Sequence, residues 1–426
     1  VLWRKISGAR SAGRVQSPVV RLVVEREREI TAHSPVSSYK VKATLADGEN
    51  ELFEVKLNED FATKEDAQNF VEAILEAAMQ VVSIETKPSK RSPKAPFITS
   101  TLQQEASQKL GFSVKQTMSI AQNLYREGAI TYMRTDSLSL SEEAITAAQE
   151  VIVSSYGLDF HQARRYKTKS SSAQEAHEAI RPTDLTKPSI LGLDDQSTKL
   201  YSLIYKRTLA SQMSDAQLQK TKINIDISNR NERFIADGEV LSFSGFLKVY
   251  DYMAAEDKLL PRLDVGESLS LVDLISRESF SRAKPRYTEA SLVKEIEQMG
   301  IGRPSTFATM ITTVQERNYV VKETREGVQR DYQQIEIVDG VISESTQSEN
   351  TGAEKNKLFP TSVAYILVDF LLNNFKNIIG YEFTANLESD FDKIAEESKP
   401  WTGVVRNFYD PFHEQIELAK DVSRDE

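Results

Sequence analysis

The chain has 426 residues, 40% hydrophobic and 27% charged, with 63 acidic against 53 basic side chains for a formal net charge of −10. That is an ordinary globular balance, long enough for about three domains, with no apolar run of membrane-spanning length and no signal-peptide pattern. Zero cysteines exclude disulfides, thiolate zinc sites and cysteine nucleophiles, the four histidines (His33, His161, His177 and His413) argue against a multi-histidine metal site, and the acidic total argues weakly against nucleic acid as a partner.

The first 24 residues reverse that last point locally. VLWRKISGARSAGRVQSPVVRLVV carries Arg4, Lys5, Arg10, Arg14 and Arg21 and no carboxylate, and local potential rather than net charge attracts a phosphate backbone. The chain opens at Val1 inside a helical pattern, which reads as a piece of something longer. Val15, Val19, Leu22, Val23 and Ile30 recur at helical spacing. YKVKATLADGENELFEVKL then alternates with period two on both sides of an Asp-Gly pair, the signature of a β-hairpin. KEDAQNFVEAILEAAM predicts an amphipathic helix with Phe70, Val71, Ile74 and Leu75 on one side. KPSKRSPKAPFITS, residues 87 to 100, reads as a Pro- and Lys-rich connector and a domain boundary.

Helices are predicted at about 101–110 and 114–127, the second closed by Gly128. GAITYMRTDS follows, and as a strand it would put Tyr132 and Arg134 on one face with Met133 on the other. A phenol beside a guanidinium has two readings: a nucleophile next to a phosphate clamp, or a rim tyrosine beside a solvated arginine. After a helix at 141–155 comes a second basic patch, HQARRYKTK, and then AQEAHEAIRPTD, which would align His177 and Arg181 at i and i+4 if helical. KTKINIDISNRNERFIADGEVL returns to strand pattern through LSLVDLI, and from YTEASLVKEIEQMG onward the pattern is mainly helical. Within it, Gly302-Arg303-Pro304 reads as a helix start, where free N–H groups and the Ser305 and Thr306 hydroxyls would make an anion site. ESDFD, residues 388 to 392, imitates a metal cluster. On a helix, however, Asp390 and Asp392 lie about 200° apart; only Glu388 and Asp392 share a face, and the plainer reading is a solvated acidic face.

SAGRVQSPVVRLVVEREREI, GAITYMRTDS, QEAHEAIRPTD, YTEASLVKEIEQMGIGRPSTFATMITTVQERNYV and FTANLESDFDKIA together resemble the type IA DNA topoisomerases, the bacterial enzyme especially. They follow that family's order over nearly the whole chain. The resemblance implies a multi-domain α+β fold, a nested toroid with helical domains and a β-rich arch. Residues 1–36 with 281–426 would form a helical DNA-binding domain, 37–95 with 206–280 the arch, and 96–205 a helical insert. It implies that Tyr132 is the nucleophile, that Arg134 contacts the scissile phosphate and that His177 sits at the cleavage site. Ser11, Arg14, Gln16, Arg303, Thr306 and Arg317 match residues that contact single-stranded DNA, and Arg181 joins them. It further implies transient cleavage of one strand through a 5′-phosphotyrosine, strand passage, and relaxation of negatively supercoiled DNA without ATP, by a monomer in the bacterial cytoplasm at the nucleoid with no membrane partner.

The departures matter too. Nothing here resembles the family's N-terminal Toprim domain, with its glutamate and acidic Mg²⁺ ligands, or its C-terminal zinc modules. Mg²⁺ is therefore expected for the complete enzyme, with ligands outside this chain. The alternative is a single-stranded DNA-binding clamp without competent catalysis as this isolated fragment, which is expected to be inactive or weak without the Toprim domain. A tyrosine recombinase, which needs several basic residues around its tyrosine, is a weaker third reading.

Overall fold

The computed structural model describes residues 2–13, 15–167, 177–250, 258–376 and 379–420. Helices α1 (Leu2–Lys5) and α2 (Gln16–Ala32) come first. α2 buries Val19, Val20, Leu22, Val23 and Val24 along one side, as its spacing predicts. Strands β1 (Ser37–Ala46) and β2 (Leu52–Leu57) form the expected hairpin. Its loop is closed by the Asp47 carboxylate, which accepts from the Glu49 and Glu51 N–H groups, and the positive φ falls on Asn50 rather than on the glycine. Helix α3 (Lys64–Ile74) starts at Thr63, whose hydroxyl accepts from Asp66 N–H. It buries Phe70, Val71 and Ile74, whereas Leu75, expected on the same face, lies past the helix end and is exposed.

Strand β3 (Met79–Arg91) takes up the first five residues of the expected connector. Pro88 is tolerated there because beyond Gln80 the strand is paired on one side only, with β4. Helices α4 (Thr99–Leu110), α5 (Val114–Arg126), α6 (Glu142–Tyr156) and α7 (Asp195–Ser211) follow, then strands β4 (Ala216–Ile227), β5 (Arg233–Phe243) and β6 (Ser268–Phe280). Next come α8 (Glu289–Gln298) and α9 (Phe307–Glu316), strands β7 (Val320–Arg325), β8 (Val328–Val338), β9 (Val341–Thr351) and β10 (Glu354–Pro360), and helices α10 (Ser362–Asn374), α11 (Tyr381–Ala395) and α12 (Trp401–Ala419).

β1, β2, β5, β4, β3 and β6 pair in that order, and β6 pairs again with β1, so the sheet closes into a barrel. β8 joins β6 on its other edge, and β9 pairs with β8. Residues 281–426, expected to be mainly helical, thus also lend two strands to the barrel's sheet. The β8–β9 loop is Asp339-Gly340, both at positive φ, the two-residue turn whose twist suits a tight hairpin. That signal was present in the sequence, but the flanking residues are mostly polar and do not read as a core strand.

Three buried cores result. One joins α2, α8, α9 and α10; a second joins α4 to α7 with Phe246 and Tyr250; the third fills the barrel around α3. α7 runs past the expected boundary at 205, and its Leu209 and Ala210 belong to the second core. The second unit docks on the first through a buried carboxylate: Glu289 accepts from the Val114 N–H at the start of α5 and also holds Lys322 and Gln315. No helix among the described residues is long and apolar enough to cross a membrane.

Candidate active site

α5 ends at Gly128, with the Gly128 and Ala129 N–H groups returning to the Tyr125 and Leu124 carbonyls. The next residues are not a strand, which corrects the sequence expectation. Ile130 bridges Pro182, and Thr131 N–H donates to the Arg181 carbonyl. Residues 132 to 137 are irregular, yet the alternation survives: Met133 is buried, while Tyr132 (42% exposed) and Arg134 stand outside it.

Thr99, fully buried at the start of α4, holds this shape. Its hydroxyl donates toward the Met133 and Thr135 carbonyls and accepts from Thr135 N–H, and its own N–H donates to the Thr135 carbonyl. Buried backbone groups without a sheet partner must be satisfied individually, and one threonine does so here. Sequence reasoning missed Thr99, because nothing in KAPFITS marks its hydroxyl as different from any helix-start threonine. Tyr125 packs its ring edge-on against Tyr132, with centroids 5.2 Å apart. Among the described residues, neither the Tyr132 hydroxyl nor the Arg134 guanidinium has a hydrogen-bond or ion-pair partner.

His177 and Arg181 lie on an extended segment, not a helix; Ala179 and Ile180 donate to the Ser139 and Phe97 carbonyls. The Ala179 carbonyl also accepts from the Thr131 hydroxyl, so the chain carrying His177 runs beside the one carrying Tyr132. Arg181 is spoken for. It pairs with Glu178 at 2.7 Å and donates to the Pro182 carbonyl. Burial opposes the charge on Glu178, but hydrogen bonds from Ser141 and Arg181 outweigh it and hold its carboxyl below the ordinary range. Arg181 thus shapes the segment rather than offering its charge to a ligand.

Against this stands the turn before α9. The helix begins at Phe307, three residues later than Pro304 suggests, because Thr306 closes a local turn with Arg303: its hydroxyl accepts from Arg303 N–H and donates to the Arg303 carbonyl. Gly302 has φ +81°, and a Cβ there would meet Met310 Sδ at 2.8 Å. The Arg303 guanidinium is bonded to Asp392, with Glu388 3.9 Å away. The acidic face noted in ESDFD therefore grips an arginine, a partner 89 residues away that spacing alone does not reveal.

A cleft of about 440 Å³ separates the two segments, with Thr135 and Asp136 on one side and Glu297, Gly302, Arg303 and Asp392 on the other. Burial pushes the Glu297 carboxyl up; the Ser100 hydroxyl bonded to it pulls part of the way back, and the Asp136 charge adds to the rise. Ser11 is pinned by the buried Tyr319, whose hydroxyl accepts from the Arg10 and Ser11 N–H groups and donates to the Ser11 carbonyl; Gln16 donates to the Ser11 hydroxyl. Arg317 closes α9, and its Nη1 is buried without a hydrogen-bond partner among the described residues. Arg14 lies outside the described residues. No group of three or more His, Asp or Glu among the described residues could hold a metal ion. Glu388 and Asp392 do not fit a Mg²⁺ site, since both carboxylates lie against the Arg303 guanidinium.

A DNA topoisomerase family model matches residues 1–332. DNA topoisomerase 1 of Rickettsia felis is 38% identical over 448 residues, covering 99% of this chain and 54% of that protein. The Pseudomonas aeruginosa DNA topoisomerase 1 is 39% identical over 432 residues, covering 99% of this chain and 46% of that one. Among solved structures, full-length topoisomerase I from Thermotoga maritima superimposes with a TM-score of 0.77 at 32% identity, over 97% of this chain and 64% of that chain. The chain thus spans about half the length of the curated relatives it matches.

Proposed function

The chain belongs to the type IA DNA topoisomerases, and on that premise we propose that it carries the nucleophile and the strand-holding surfaces of an enzyme that cuts, passes and reseals one DNA strand. The observation that carries this reading is the exposed Tyr132–Arg134 pair on either side of a buried Met133, on backbone pinned by Thr99. The Tyr132 oxygen attacks the phosphorus of a single strand. The bond from phosphorus to the 3′ oxygen breaks, the phenolic proton leaves, and a 3′-hydroxyl forms beside a 5′-phosphotyrosine. Free tyrosine has a pKa near 10, so charge on the phosphoryl oxygens needs stabilising, and Arg134 stands on the same side to provide it. The ester keeps the energy of the broken bond, so the 3′-hydroxyl reverses the step without ATP. His177, on the adjoining segment, orients the phosphate or the strand.

Arg317, whose Nη1 is buried without a hydrogen-bond partner among the described residues, and Arg303, which lines the cleft, would meet phosphates of the same strand, with Ser11, Gln16 and Thr306 shaping the backbone around them. Mg²⁺ would be supplied with ligands from outside this chain, and no step above depends on it. The three cores are read as nested units that part to admit a second strand; the substrates are single-stranded and negatively supercoiled DNA, and the enzyme works as a monomer in the bacterial cytoplasm. The clamp reading is favoured by one observation, the lack of a metal-holding group among the described residues. Trapping of 5′- and 3′-labelled oligonucleotides separates the readings. Label retained through a 5′ phosphate and lost in Tyr132→Phe supports cleavage; binding without any covalent complex, even in the full-length protein, leaves the clamp.

A further inference from the structure

The barrel carries a surface of opposite sign to the chain as a whole. Strand residues alternate between faces. On β1, β6 and β8 the inward set is Val41, Ala43, Leu274, Ser276 and Ile335, all buried. The outward set is cationic. Lys40 lies opposite Arg277, Arg277 lies opposite Gln334 on the other side, and Arg330 lies further along the same face of β8. Lys42 follows on β1, and Arg282 continues from the end of β6.

Five cations, Lys40, Lys42, Arg277, Arg282 and Arg330, line a hollow of about 450 Å³ with two carboxylates, Glu278 and Glu349. Glu349 is shared between Arg277 and Arg330, and those two guanidiniums together hold its carboxyl below the ordinary range. Glu278 accepts from the Gln333 backbone N–H. Glu336, one pair along the face, accepts from the Gln334 amide, and Asp60 lies 3.6 Å from Lys40 with both groups exposed. Lys42 and Arg282 are exposed and have no ion-pair partner among the described residues. The two arginine planes are held in place: Arg277 lies 4.1 Å over the Tyr332 ring and Arg330 3.9 Å over Phe280. Stacking of this kind reduces the freedom a guanidinium loses on meeting an anion.

We propose that this hollow is a second phosphodiester site, a seat for DNA backbone on the barrel, separate from the insert that carries Tyr132. The inference rests on the DNA-acting reading above. Cations on three neighbouring strands, each roughly 4.8 Å from the next, spread over a distance that successive phosphates match better than one small anion. The surplus of positive charge remains after Glu349 is counted, so binding needs no ion pair to be broken at Lys42 or Arg282.

The test is fluorescence anisotropy of a labelled duplex and a labelled single strand with the 426-residue chain over a salt series, comparing wild type, Lys42→Glu/Arg282→Glu, and a control of equal charge change on α7, Lys199→Glu/Lys206→Glu. Thermal melting checks that all three fold. Expected is a roughly tenfold loss of affinity in the first variant alone, with the log–log salt slope reduced by roughly two. Loss confined to the duplex assigns the seat to duplex backbone, and loss confined to the single strand assigns it to an extended strand; either supports the site. Unchanged affinity and slope, or an equal loss in the α7 control, overturns it while leaving the cleavage reading intact. A wild-type chain that binds neither DNA overturns the DNA-acting reading and this site with it.

Discussion

Two arginines, Arg134 beside Tyr132 and Arg303 on the wall of the cleft, are held in opposite ways. Arg134 stands beside an exposed tyrosine with no partner among the described residues, while Arg303 is bonded to Asp392 and lies near Glu388. A phosphate can meet the first guanidinium directly. It must displace a carboxylate from the second, and the Coulomb energy it gains is offset by the pair it breaks. Charge near a cleft is therefore a poor guide to function unless its existing partners are counted.

The sharpest way to break this comparison is to delete each arginine in turn. Arg134→Ala should lower covalent trapping of a single-stranded oligonucleotide by about 10²–10³-fold, the usual scale for a donor aimed at developing charge, with an unchanged melting temperature. Arg303→Ala should cost only a few-fold in strand affinity, since Asp392 loses its partner as well as the DNA. Asp392→Asn should move affinity the other way by releasing Arg303. Equal losses at the two arginines, measured by trapping and by anisotropy in parallel, would erase the distinction.

The second test reaches the support under the pair. Thr99→Val keeps the shape of the side chain and removes a hydroxyl bonded to residues 133 and 135. Buried groups left unsatisfied cost about 1–3 kcal/mol, so chemical denaturation should show destabilisation on that scale. Trapping should fall alongside, because Tyr132 and Arg134 lose their fixed backbone. A stable Thr99→Val with full trapping would mean that the segment holds itself.

The smallest expected effect is electrostatic. Glu297 is raised by burial, against the pull of its Ser100 hydrogen bond and with the help of Asp136. A carboxyl raised on folding binds its proton more tightly in the native state, so stability falls as pH rises from the ordinary carboxyl value through the raised one, and is flat above it. Glu178 and Glu105, both lowered, have the opposite sign and contribute stability lost as pH falls. The difference between wild type and Glu297→Gln isolates the one group. Melts over a pH series should show the variant gaining relative to wild type as pH rises through that window; a difference independent of pH would sink the assignment.

Much of the local structure was legible. The β1–β2 hairpin, the amphipathic α2 and α3, and the glycine that closes α5 follow from period, turn residues and caps, which act over a few residues. GAITYMRTDS was legible as a pattern of burial: Met133 is buried and Tyr132 and Arg134 are exposed, although the segment is not a strand. The helical alignment open to His177 and Arg181 is not the one adopted, because that stretch finds its hydrogen bonds in Ser139, Phe97 and Thr131, far along the chain. The β8–β9 hairpin was missed because its Asp-Gly turn sits between polar strands that gain stability from pairing with β6, not from an apolar face of their own.

By itself the sequence determined which residue types could do chemistry and which segments carry a strong local signal, such as α2, α3 and the β1–β2 hairpin, since these depend on side-chain type and on neighbours one to four positions away. Only the tertiary structure decided which charges are available. Arg181 is committed to Glu178, Arg303 to Asp392, and Glu349 to two arginines, while Arg134, Lys42 and Arg282 remain without ion-pair partners among the described residues. Arg303 and Asp392 are 89 residues apart, and Arg277 and Glu349 are 72. At such separations an ion pair follows from how packed units meet, because a charge accepts whichever opposite charge the backbone brings within reach.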